Sequence, residues 1–131
     1  MNKFKCILVI YDDEVSTYLT EITIKEKGLA EKVETALNGK EGLNKLKKLH
    51  KKGRNGTPEL ILLDLSMPVL DGFGFLQKFN ELKLEHKPNV VILTSSSNPK
   101  DLARASEFNI LGYLNKPFSA DGLRHLVEDY N

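Results

Sequence analysis

The sequence is short of three things, and each shortage removes a class of function. It has a single cysteine, Cys6, in the apolar run "CILVI", so no intrachain disulfide can form and a reducing, intracellular setting is expected. Cys6 itself reads as a core residue, not a reactive thiol. No apolar stretch approaches the roughly twenty residues a membrane span needs, and the N-terminal "MNKFKCILVIYDDE" has an apolar segment too short, and too soon followed by acids, for a signal peptide. A soluble, cytoplasmic protein with no membrane partner is the expectation. Net charge is also lacking: 19 Lys and Arg against 18 Asp and Glu leave +1, which offers no field for direct contact with nucleic acid.

There is no internal repeat, no low-complexity segment and no histidine pair. The 131 residues fit one domain over 1–131, long enough to bury a core without staples. His50, His86 and His125 stand singly and read as solvated surface residues. Lys40, Lys45, Lys47, Lys48, Lys51, Lys52 and Arg54 gather in one segment, which reads as the solvated face of a helix.

Against these absences stands a regular alternation. Short apolar runs, "CILVIY" (6–11), "KVETA" (32–36), "LILLDL" (60–65), "VVILTS" (90–95) and "ILGYLN" (110–115), are separated by helix-like stretches. That is the rhythm of a parallel sheet covered by helices on both faces. The pattern predicts an α/β fold: a five-stranded parallel doubly wound sheet, flavodoxin-like, (βα)5, in which "KVETA", the least apolar run, lies at an edge. Helix one (14–28) carries Val15, Leu19 and Ile22 as its core stripe and stops at Gly28; helix two (39–51) carries Leu43, Leu46 and Leu49 and stops near Gly53. Helix three (72–84) carries Phe73, Leu76, Phe79 and Leu82. Helix four opens with Asn98 as N-cap and Pro99 at its first position, and helix five starts at Ser119 and buries Leu123 and Leu126. The polar "KKGRNGTPE" before the third run is a surface loop.

In open parallel sheets, ligands bind beyond the carboxyl ends of the strands. Here the first run ends in Asp12, Asp13 and Glu14, the third in Asp64, the fourth in Thr94, and the fifth is followed at once by Lys116. Carboxylates converging from two strands, without cysteine or paired histidine, suit a hard, oxygen-liking cation such as Mg²⁺; zinc does not fit. With a hydroxyl and an ammonium beside it, Asp64 would be the nucleophile of a phosphoryl transfer.

"LILLDLSMPVLDGFGFL" (60–76) together with "VVILTSSSNPKDLARASEFNILGYLNKPF" (90–118) resembles the receiver domain of two-component response regulators. The spacing carries the resemblance: Asp64, then Thr94 thirty positions on, then Tyr113 and Lys116 nineteen and twenty-two positions after Thr94. It implies that Asp64 accepts a phosphoryl group from a sensor histidine kinase or phosphotransfer protein, and that Mg²⁺ is held by Asp64, an acid ending strand one and the backbone carbonyl of Ser66. Lys116 would pair with the phosphoryl oxygens, Thr94 would donate its hydroxyl to them, and Tyr113 would follow Thr94 inward as a switch, reshaping the face of helices four and five. Lys116–Pro117 is expected to be cis. Met67, Pro68, Asp71 and Gly72 would shape the rim, while Ser66 and Ser96 stand where the family tunes hydrolysis.

The acids of strand one fit the family in two registers. Either Asp12 and Asp13 form the usual adjacent pair, or, as the sixteen residues from Asp12 to Gly28 favour, Asp12 is the direct metal ligand and Tyr11 takes the place of the first acid. In the second register one negative charge leaves the pocket and cation affinity falls. The resemblance further suggests a stand-alone regulator that catalyses only its own phosphorylation and dephosphorylation. The chain resembles phytochrome-associated and chemotaxis-type regulators and would signal through an unidentified output protein, with homodimerisation through the face of helices four and five as a further outcome. The alternative is a receiver-like interaction module that is never phosphorylated. A phosphatase of haloacid-dehalogenase type would want an aspartate where Ser66 stands.

Overall fold

The computed structural model describes residues 3–65, 70–94 and 99–130. Ten elements alternate along the chain: β1 (Phe4–Ile10), α1 (Glu14–Glu26), β2 (Ala30–Ala36), α2 (Gly39–His50), β3 (Leu60–Asp64), α3 (Gly72–Glu81), β4 (Asn89–Thr94), α4 (Pro99–Ala105), β5 (Gly112–Asn115) and α5 (Ala120–Tyr130). The strands form one parallel sheet in the order β2-β1-β3-β4-β5, so the weakly apolar β2 is an edge, as its composition predicts.

Side-chain alternation splits the core in two. Leu8, Ile10, Ile61, Leu63 and Ile92 face the leucines of α2 and the phenylalanines of α3, with Ala105 of α4 beside them. Ile7, Val9, Leu62 and Leu93 face Ile24 of α1 and Leu123 and Val127 of α5. Strands buried on both sides need apolar residues at successive positions, which is why β1, β3 and β4 read as continuous runs.

The stripe expected of α1 is wrong. Val15 is 66% and Leu19 57% exposed, and the residues turned inward are Thr17, Thr20 and Ile24. The two threonines can be buried because their hydroxyls donate to backbone carbonyls, Thr17 Oγ1 to Tyr11 O at 3.3 Å and Thr20 Oγ1 to Ser16 O at 2.8 Å. Helix α1 gives way at Lys27 to Gly28 with φ 64°, a left-handed turn that glycine adopts without strain. In α2 and α3 the expected leucines and phenylalanines are buried, with Phe75 added to them; Leu82 and Leu126 are half-buried.

His50 departs from a solvated role. It is half-buried, with Nδ1 3.2 Å from Thr57 Oγ1, whose own hydroxyl donates to Gly53 O at 2.8 Å, so the imidazole N–H is the donor to threonine. This contact ties the long loop after α2 back onto its helix. His86, His125 and the α2 lysines other than Lys45 are exposed; Cys6 is buried, and burial, followed by the charge of Glu34, pushes its thiol up to about 11. Asn98, expected to cap α4, lies outside the described residues.

Candidate functional site

The sheet register sets the site. Ile10 pairs with Leu63 and Asp64 with Leu93, so Tyr11, Asp64 and Thr94 emerge side by side at the carboxyl edge. Thr94 pairs with Asn115, and Lys116 N donates to Thr94 O at 2.8 Å, bringing the lysine to the same edge. The Lys116–Pro117 bond is cis, as expected. Asp64 is 1% exposed at the floor of this edge. Gly72 closes the space behind it: a Cβ there would stand 2.6 Å from Leu65 Cα and 2.9 Å from Asp64 O.

Lys116 Nζ donates to Asp64 Oδ1 at 2.7 Å. Burial works against the charged lysine, but the hydrogen bond and charge of Asp64 more than offset it and hold the ammonium above the usual lysine value. The same nitrogen lies 4.7 Å from the centroid of the Tyr11 ring. Tyr11 is itself fixed, its N–H donating to Ala36 O at 3.1 Å and its carbonyl accepting from Thr17.

The acids of the first turn are not equivalent. Asp13 is the N-cap of α1: one oxygen accepts from Val15 N at 3.1 Å, the other from Ser16 Oγ at 2.7 Å, and the Ser16 bond is the largest cause of a carboxyl pKa below its ordinary value. Asp12, exposed, follows Tyr11 directly. Among the described residues no three His, Cys, Asp or Glu side chains cluster to hold a metal. Of the expected oxygen donors, Asp64 is buried at this edge and Asp12 is exposed just after β1; one or two carboxylates with several waters are what Mg²⁺ takes, so these residue types fit it. The expected carbonyl donor of Ser66, the rim residues Met67 and Pro68, and Ser96 lie outside the described residues.

Tyr113 pairs with Ile92, is half-buried against the α3 and α4 side of the core, and donates its hydroxyl to Leu102 O of α4 at 2.9 Å. It thus links β5 to α4 on the far side of Thr94 from Asp64. A cavity of about 290 Å³ adjoins the site between α1 and the β5–α5 connection, bordered by Tyr11, Leu19, Thr20, Lys116 and Phe118. The Asp13 cap and the Tyr11–Lys116 contact were missed in the sequence. An Asp opening a helix signals the cap, whereas the contact follows only from the strand order.

Residues 7–128 match the sequence profile of the response regulator receiver domain. The chain belongs to this family. As a receiver domain it is 32% identical over 123 residues to the probable methanogenesis regulatory protein FilR2 of Methanothrix harundinacea, covering 94% of this chain and 79% of that protein. It spans 50% of the probable C4-dicarboxylate response regulator DctR of Halalkalibacterium halodurans and 10% of the osmosensing histidine protein kinase SLN1 of Saccharomyces cerevisiae. A two-component response regulator from Cytophaga hutchinsonii shares its fold at a TM-score of 0.86 and 28% identity, over 98% of this chain and 97% of that one. The bacteriophytochrome response regulator AtBRR does so at 0.79 and 31%, over 98% and 93%. The family expected from the motifs is the family found. Receiver domains serve two-component signalling, where they interact with histidine kinases and output domains, and no described helix is long and apolar enough to cross a membrane.

Proposed function

We propose that this receiver domain takes a phosphoryl group onto Asp64 and relays the change through Thr94 and Tyr113. The observation that carries the reading is the buried Asp64 carboxylate held 2.7 Å from the Lys116 ammonium at the carboxyl edge of the sheet. An Asp64 oxygen attacks phosphorus, the P–N bond to a donor histidine breaks, and its electron pair returns to the imidazole, which then takes up a proton. The Lys116 N–H donors and the Thr94 hydroxyl meet the phosphoryl oxygens where negative charge gathers. Mg²⁺, when held by Asp12, Asp64 and the Ser66 carbonyl, supplies the remaining positive charge.

The donor approaches over α1. Leu19 lines the cavity that Tyr11 and Lys116 border, and Val15 and Tyr18 on the same helix are exposed, an apolar surface suited to a partner helix. The likeness to AtBRR supports a phytochrome-type histidine kinase in that role. Once Thr94 turns to the phosphoryl group, Tyr113 moves into the vacated space and its bond to Leu102 breaks, altering the α4–β5–α5 face offered to an output protein or a second copy.

Incubation with acetyl phosphate and Mg²⁺, followed by intact mass measurement, tests this. One phosphoryl adduct on the wild type and none on Asp64→Asn is expected. An unmodified wild type would leave the domain a phosphorylation-independent interaction module, and an adduct that persists in Asp64→Asn would move the acceptor elsewhere.

A further inference from the structure

Tyr11 is the residue of the site that phosphoryl transfer leaves unexplained. The residue is 8% exposed and its main chain is pinned from both sides, by Ala36 on β2 and Thr17 on α1, so the ring presents a fixed face to the pocket. Over that face lies the Lys116 ammonium, 4.7 Å from the ring centroid and 2.7 Å from Asp64 Oδ1. A lysine side chain has four rotatable bonds, and one contact with a carboxylate oxygen leaves it room to swing toward water. The ring removes that freedom from a second direction, and with the Lys116 side chain only 18% exposed the attraction between cation and ring quadrupole is little diluted by solvent.

The ring also differs from a carboxylate in what it leaves behind. A carboxylate at position 11 would accept one of the three ammonium N–H bonds and neutralise the charge. Tyr11 attracts the ammonium through its ring face and its hydroxyl oxygen, both of which favour the charged lysine, and being neutral it leaves that positive charge available to Asp64 and to an arriving phosphoryl group.

Resting on the reading of Asp64 as phosphoacceptor, we propose that Tyr11 is a positioning residue for phosphoryl transfer, holding Lys116 against Asp64 through its ring face. The contact can be read without metal or phosphorylation, because a ring current shifts the Lys116 ε-methylene protons upfield of those of exposed lysines. That shift is expected in the wild type and in Tyr11→Phe and is lost in Tyr11→Leu. At saturating Mg²⁺, acetyl phosphate should label Tyr11→Leu about two- to thirtyfold more slowly than the wild type, with Tyr11→Phe close to wild type and amide spectra verifying the fold of each. A wild-type Lys116 signal among those of exposed lysines would overturn the proposal. So would a Tyr11→Phe variant as slow as Tyr11→Leu, or a Tyr11→Leu variant as fast as wild type. A wild type that keeps the upfield shift but takes no phosphoryl group would overturn the phosphoacceptor reading and the role in transfer while leaving the contact standing, which separates the two failures.

Discussion

Helices α1 and α2 flank the same central strand, β1, from opposite faces of the sheet, yet they meet it with different chemistry. Helix α2 turns Leu43, Leu46 and Leu49 inward and its lysines out, while α1 turns Thr17, Thr20 and Ile24 inward and leaves Val15 and Leu19 in solvent. Both obey a 3.6-residue period. The difference lies in phase: α1 carries two stripes that could face the sheet, and the one that does is the one whose hydroxyls are satisfied by backbone carbonyls. A threonine so satisfied packs much as a valine does. Of the apolar residues thereby released, Leu19 lines the cavity that Tyr11 and Lys116 also border.

Substitutions should separate the two helices most sharply at their leucines. Leu46 is fully buried, and Leu46→Ala should cost about 2–5 kcal/mol in chemical denaturation. Leu19→Ala, by contrast, should stay within about 0.5 kcal/mol of wild type. Equal losses at the two sites would contradict the inverted phase of α1.

The helix caps sharpen the contrast with smaller effects. Asn38 caps α2 by accepting from Glu41 N at 2.9 Å, and Asn38→Ala should cost about 1 kcal/mol at any pH where the protein is folded. Asp13 caps α1 with a carboxylate whose pKa is lowered from 3.8. A depressed carboxyl stabilises the fold above its unfolded value and loses that contribution as pH falls through the folded value, so Asp13→Ala should destabilise at neutral pH and cease to differ from wild type in strong acid. Urea melts across that range would show it, and a pH-independent difference would remove the charge from the cap.

The smallest expected effect is at Cys6 on β1. With its thiol pushed up to about 11, the native protein should resist alkylation at neutral pH and react only on unfolding, which a mass-resolved time course measures.

The fold and most of the site were legible in the sequence because strands buried on both faces announce themselves as apolar runs and end where the chain turns polar. Asp64, Thr94 and Lys116 each follow such a run, so the fold had to bring them to one edge. The phase of α1 was hidden, since a count of apolar residues gives a threonine no weight for a hydroxyl bonded to a backbone carbonyl. The partner of His50 was hidden for a like reason: nothing in the spacing to Thr57 says that the loop doubles back. Tyr11 was noticed as an oddity beside three acids, but its ring becomes a seat for Lys116 only once β1, β3 and β5 are placed in order.

Asp64 is proposed as the one carboxylate on which chemistry at this edge is built. Reduction of the acetyl phosphate-treated protein with borohydride, which converts an acyl phosphate to an alcohol, followed by peptide mass mapping, tests it most directly. The reduced side chain is expected at position 64 alone, dependent on Mg²⁺; reduction at Asp12 or Asp13, or at no residue of the chain, would contradict that role for Asp64.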